Sequence, residues 1–117
     1  MQAKIDARHH SRELIKYVFQ TTDHFPKGDP EQLRPQLRKK ALEISSFLSH
    51  GTSKSDQEEQ NQNFMIVMEE LREVLKLITI ANHLGYANPQ QKLLIRTAIS
   101  NVINALDNIV IAQNKGN

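Results

Sequence analysis

Asp6, His9, His10 and Glu13 are the residues of this sequence best suited to chemistry, since positions i, i+3, i+4 and i+7 share one side of a helix. Imidazole and carboxylate groups on adjacent turns can hold a divalent metal, so one reading is a metal-dependent enzyme built on these four. Di-metal helical proteins, however, direct such ligands inward from several helices, often as Glu-x-x-His pairs. No Glu-x-x-His occurs anywhere in this chain. The cluster is placed opposite the apolar face of its helix, where local acid–histidine pairs explain it without a metal. His24, His50 and His83 stand singly near expected helix ends, where histidine interacts favourably with the helix dipole. There is no nucleophile elbow, phosphate-cradling glycine loop or zincin motif. No arginine is followed four to six residues later by histidine, the spacing some all-α ribonucleases use. The expectation is a non-enzyme with no cofactor, no resident metal and no small-molecule substrate.

Cations form the second candidate set. Lys4, Arg8, Arg12 and Lys16 lie four apart and drift slowly around one helix, while Arg34, Arg38, Lys39 and Lys40 make the next helix basic. The net charge is only +2, but residues 1–50 carry nine Lys/Arg against six Asp/Glu, and the remainder six against seven. Such stripes can neutralise the phosphates of RNA or DNA. Aromatic residues make up 5% of the chain, which leaves little for base stacking and disfavours single-strand readout. The alternative is a solvated flank whose long stems cover the edge of the core.

These residues must be positioned by helices. The 117 residues suffice for one domain and one continuous core. Proline and glycine, four of each, fall mainly between apolar-periodic segments, which favours long helices over short strands. The chain has no cysteine, so there are no disulfides or thiolate zinc sites, and a reducing cytoplasm is expected. The charged N-terminal segment does not read as a signal peptide. The apolar stretches 71–84 and 93–112 are interrupted by Glu73, Lys76, Arg96 and Asp107, so no membrane span is expected.

A first helix is predicted over 3–22, with Ala7, Ser11, Leu14, Val18 and Thr22 on one face. Asp29-Pro30-Glu31-Gln32 reads as the cap, first residue and capping-box partner of a second helix, perturbed or restarted at Pro35 and closed by Gly51. Residues 51–63 read as a polar flexible segment, from which Ser55-x-x-Glu58 caps a third helix running to Leu84, with Gly85 terminating it. Asn88-Pro89-Gln90-Gln91 starts a fourth helix, and the tail 114–117 should fray. Short connections after the first and third helices predict an all-α, antiparallel, up-down-up-down four-helix bundle in a single domain over 1–117.

The third helix carries two apolar stripes. Phe64, Val67, Met68, Leu71, Val74, Leu75 and Ile78 are assigned to the core, and Ile66, Leu77, Ile80 and Leu84 form a second set displaced around the helix. The fourth helix is apolar around much of its circumference too, with Leu93, Leu94, Ile103, Val110 and Ile111 flanking its core face. One small bundle has no use for so much apolar surface, so Ile66, Leu77, Ile80 and Leu84 are predicted to form a homo-oligomer interface. Glu73 lies within that stripe and is expected there too, pairing with a basic residue of a neighbouring subunit such as Arg38, or else with Lys76 on its own helix.

The segment FPKGDPEQLRPQLRKKALEISSFLSHG, followed by F-x6-L-x-E-V-x3-I-x-I-A-x2-LGY, resembles a bacterial four-helix-bundle family. Founding members of that family are encoded by intervening sequences within large-subunit ribosomal RNA genes. The resemblance runs from Phe25 to Tyr86. It is most specific at Phe25-Pro26, the stretch 36–41, Gly51, Glu73 and Leu84-Gly85-Tyr86; Ser45, Phe47 and His50 depart from the usual pattern. The resemblance implies a ring-like homo-oligomer of four-helix bundles, often a pentamer. Distant relatives are accessory proteins of diversity-generating retroelements, which bind nucleic acid and a reverse transcriptase and are more basic than this chain.

Overall fold

The computed structural model describes residues 2–115, which form four helices: α1 (Gln2–Thr22), α2 (Leu33–Ser53), α3 (Gln57–His83) and α4 (Pro89–Lys115). No strand occurs among the described residues. Consecutive helices run antiparallel and pack in a closed cycle, α1 against α2 and α4, and α3 against α2 and α4, with no close backbone approach across a diagonal among the described residues. The bundle measures 51 × 22 × 17 Å. Its α2–α3 and α1–α4 seams are the most extensive, and α3–α4 is the loosest, although these two helices are joined by a short loop.

The core follows the predicted faces. Leu14 and Val18 of α1, Leu37, Ile44 and Leu48 of α2, Val67, Val74 and Ile78 of α3, and Ile95 and Val102 of α4 are fully buried. Leu77 is buried as well, so it belongs to the core and not to an outer stripe. It lies on the flank of α3 turned toward α2, where the closely packed seam covers it. Met68 and Leu75, assigned to the core from sequence, are only half-buried, because they lie on the opposite flank beside the loose α4 seam.

Local sequence sets most of the helix ends. At the start of α4 the Asn88 amide donates to Gln91 Oε1 (2.9 Å) and the Gln91 amide donates to Asn88 Oδ1 (2.8 Å), a reciprocal capping box with Pro89 in the first position. Gly85 takes φ +80° after α3, and the Tyr86 amide donates to the Ala81 carbonyl at 2.9 Å.

The start of α2 differs from expectation. Asp29-Pro30-Glu31 forms a separate turn, and Gln32 in the left-handed region (φ 53°, ψ 40°) breaks it from the helix. Asp29 still serves the helix end, accepting from the Arg34 amide at 2.9 Å. Pro35 then falls within the first turn, where its missing N–H has no intrahelical role, so α2 proceeds without a restart.

The predicted flexible segment 51–63 is largely helical, with only residues 54–56 outside α2 and α3. Asp56, not Ser55, caps α3, accepting from the Glu58 amide. Gly51 does not end α2, which continues to Ser53. Its hydrogen lets α3 approach, because an added Cβ would lie 2.9 Å from the Phe64 ring and 3.0 Å from Asn63 Cβ. Of the tail expected to fray, Asn114 belongs to α4, and the last two residues lie outside the described ones.

By length and composition alone α4 is apolar enough to cross a membrane, a test that the core helix of a bundle also passes. Its apolar residues divide between a core face, including Ile95, Ile99, Val102 and Leu106, and an outward set of Leu93, Leu94, Val110 and Ile111. The bundle accounts for the first set and leaves the second exposed.

Candidate functional site

The eight candidate cations separate into two groups. Arg34 and Arg38 finish the C-terminus of α1, which has no basic residue in its own last turn. Arg34 Nε donates to the Thr22 carbonyl (2.9 Å) and its Nη2 to the Phe25 carbonyl (2.7 Å). Arg38 Nε donates to Thr22 Oγ1 (2.8 Å), its Nη2 pairs with Asp23 at 2.7 Å, and the guanidinium lies 4.6 Å from the Phe19 ring centroid. Both therefore satisfy carbonyls and a hydroxyl that the helix end would leave open. Arg38 is also engaged within its own chain and is not free for Glu73 of a neighbour.

Lys40 points into the α2–α3 seam and pairs with Glu70 at 3.6 Å, with both side chains mostly buried. Lys39 is exposed and lies 3.9 Å from Glu43. Burial raises the Glu70 carboxyl above the usual carboxylate range, the neighbouring Glu43 carboxyl raises it further, and Lys40 acts in the opposite sense. Glu70 Oε2 is buried without a partner.

Lys4, Arg8, Arg12 and Lys16 form a different environment. Arg12 and Lys16 are exposed and Lys4 and Arg8 half-buried. Among the described residues no acidic side chain forms an ion pair with any of them. The surviving cationic surface is thus the flank of α1, with Lys39 the one exposed member from α2.

The helix 1 acid–histidine cluster does not lie opposite the apolar face. Asp6, His10 and Glu13 are half-buried, and His9, His10, Glu13 and Tyr17 line the groove between α1 and α4 with Leu94 and Asn101. Asp6 accepts from Gln2 Nε2 at 2.8 Å, and the His9 and His10 rings meet edge to face at 5.3 Å. Among the described residues no three His, Asp or Glu side chains converge to hold a metal.

The apolar surplus is real but arranged differently from the predicted stripe. Among the described residues ten large hydrophobic side chains are exposed: Ile5 on α1, Leu42 on α2, and eight on the segment from α3 through α4. Ile66, Ile80 and Leu84 are among the eight, Glu73 is exposed beside them, and Leu77 is not among them. Met65 is the most exposed of the ten at 66% and was not singled out from sequence. It borders a cleft of about 380 Å³ at the loose α3–α4 seam, lined also by Phe64, Met68, Leu106 and Val110, with Glu69, Arg72 and Asp107 at the rim. The exposure of Met65 could have been found from the sequence by its position, about 100° from Phe64 on the wheel.

At the opposite end, the two loops meet. Phe25 is buried and its ring lies 5.7 Å from that of Tyr86, so the Phe-Pro and Leu-Gly-Tyr segments close the same end of the bundle. Burial raises the Tyr86 hydroxyl above the usual phenol range, with Glu31 and Asp29 adding to the effect.

Fold and surface together define an antiparallel four-helix bundle with a cationic first helix and an apolar second hairpin. The chain belongs to the 23S rRNA-intervening sequence protein family, whose model matches residues 3–108. No curated protein matches the sequence.

Proposed function

We propose that this protein is a non-catalytic subunit that assembles with copies of itself through the α3–α4 hairpin, working as a scaffold or accessory protein in the cytoplasm. The observation that carries the reading is the placement of eight of the ten exposed large hydrophobics on that hairpin. Scattered apolar residues are ordinary on a surface, and these eight look out on more than one side of the hairpin, with Leu93 and Leu94 on the α1–α4 groove, but so large a share on two of four helices supports an interaction role. Burying a side chain of this kind is worth roughly 1.5–3 kcal/mol, so several at each contact can offset the cost of association. The number of subunits rests on the resemblance alone, which points to a ring of five. Sedimentation of the wild-type chain against an Ile80→Asp/Val110→Asp variant tests the reading: an oligomer that becomes monomeric supports it, and a wild-type monomer refutes it.

A second reading is favoured by the unpaired cations of α1. Nucleic acid would be held through its phosphates by Lys4, Arg8, Arg12 and Lys16, multiplied by assembly, with no base readout. Arg34, Arg38 and Lys40 take no part in this version of the surface, because their charges are already engaged within the bundle.

A further inference from the structure

We infer that the surface meeting the hairpin is the first helix of the next copy: Ile5 enters the α3–α4 cleft, with Arg8 and Arg12 against Glu69 and Asp107, in a head-to-tail contact between parallel bundles. This rests on the self-association reading and names the counterpart of the hairpin. Each half is incomplete in the single chain. The cleft lies at the loosest of the four seams, and Met65 and Val110 on it are exposed. Its rim carries Glu69 and Asp107 with Arg72, all three exposed and none in an ion pair among the described residues. Ile5 is 52% exposed and shares a patch of α1 with Arg8 and Arg12, whose charges are likewise unpaired there. Asp6 borders that patch and accepts from Gln2. Two acids and one base on the rim thus face two bases and one acid on the patch, so the two surfaces are opposite in sign.

The order of apolar and charged groups along the bundle matches. Ala3 and Ile109 line one cavity and mark a common level of α1 and α4. Ile5 lies two residues to one side of that level and Val110 one residue to the other, about 5 Å apart along the axis. Arg8 follows Ile5 by three residues, and Asp107 precedes Val110 by three. Because α1 and α4 are antiparallel, both steps run the same way along the bundle, by about 4.5 Å. On α3, which is parallel to α1, Glu69 follows Met65 by four residues in that direction too. A sliding shift of about 5 Å therefore sets Ile5 at the cleft and the arginines at its acidic rim without inverting either bundle.

One chain can use both surfaces at once, since α1 and α3 stand on opposite corners of the helix cycle. A contact between two different surfaces repeats from copy to copy and closes into a ring where the rotation allows. It covers Arg8 and Arg12, so this contact and phosphate binding are alternatives at those two side chains.

Two full-length chains, each blocked on one surface, test this by sedimentation. Ile5→Asp spoils the patch and keeps the cleft, and Met65→Asp does the reverse. Both positions are exposed, so each variant should keep wild-type helicity by circular dichroism. Each alone should lose self-association by at least about tenfold. Mixed, they should form a complex of one chain of each, with a mass twice 13.4 kDa, because one intact patch meets one intact cleft. Reversing the charges on one side, by Arg8→Glu/Arg12→Glu or by Glu69→Lys/Asp107→Lys, should weaken assembly, and combining all four changes in one chain should restore it. An Ile5→Asp chain that assembles like wild type, or a mixture that stays monomeric, overturns this contact while leaving self-association through the hairpin standing. So does an Arg8→Glu/Arg12→Glu chain of undiminished assembly, which would leave those arginines to phosphate. A wild-type chain that is monomeric throughout removes both readings.

Discussion

Arg38 Nε on α2 donates to the Thr22 hydroxyl at the end of α1, 2.8 Å away and sixteen residues earlier in the chain. That hydroxyl in turn donates to the Val18 carbonyl at 2.7 Å, so one guanidinium secures a buried helix end. Replacing Arg38 with Ala should lower unfolding stability by about 1–2 kcal/mol, since the hydroxyl loses its donor and Phe19 its cation. The exposed Asp23 contributes little to that figure. Denaturant titration measures the change. An unaltered midpoint would contradict the structural role and return Arg38 to the phosphate-binding candidates.

Gly51 offers a second test, in which two effects oppose. Alanine is better than glycine in a helix by about 1 kcal/mol. At this position its methyl would press on the Phe64 ring and Asn63 Cβ at about 3 Å, and forcing such an approach costs about 1–3 kcal/mol. Gly51→Ala should therefore be net destabilising by thermal or denaturant unfolding. A stabilised variant would show that α3 yields easily at Phe64.

Much of the fold is legible in local sequence, and the capping box at Asn88 and Gln91 shows why: both partners lie within four residues and no distant group decides the outcome. The same reasoning fails at Asp29, where Gln32 takes a positive φ and the helix starts four residues later. Periodicity places the core face of α3 correctly but cannot say how far its flanks are covered. Leu77 is buried because α2 packs closely, and Met68 is left open because α4 does not. The candidate cations were legible as a set but not in their roles, since Arg34 and Arg38 find their acceptors nine to nineteen residues away.

The α2–α3 seam should respond to pH through Glu70. Its carboxyl is raised above its unfolded value by burial, so the folded state prefers the protonated form. The corresponding stability is fully present below the unfolded value and is lost as pH rises through the folded one. Wild type should therefore gain stability between neutral pH and the ordinary carboxylate range, and Glu70→Gln should flatten that dependence. Unfolding titrations at about pH 7 and about pH 5 make the comparison. A Glu70→Gln variant with the same pH dependence as wild type would mean that other groups control it.

Any binding of RNA or DNA should be independent of sequence and fall steeply with salt, since phosphate contacts release counterions. Reversing Arg8, Arg12 and Lys16 to Glu should abolish it, and the salt slope should shrink by roughly one for each contact removed. Fluorescence anisotropy with two unrelated duplexes gives both quantities. Binding that survives the reversal and high salt would place the contact away from α1.

Self-association through the α3–α4 hairpin is most directly tested by sedimentation velocity on the wild-type chain at micromolar concentration. The predicted result is a species whose mass is a multiple of 13.4 kDa, reduced to a folded monomer by Ile80→Asp/Val110→Asp. Both side chains are exposed in the single bundle, so the substitutions should spare its fold. A wild-type chain sedimenting as a 13.4 kDa monomer across that range would contradict the account.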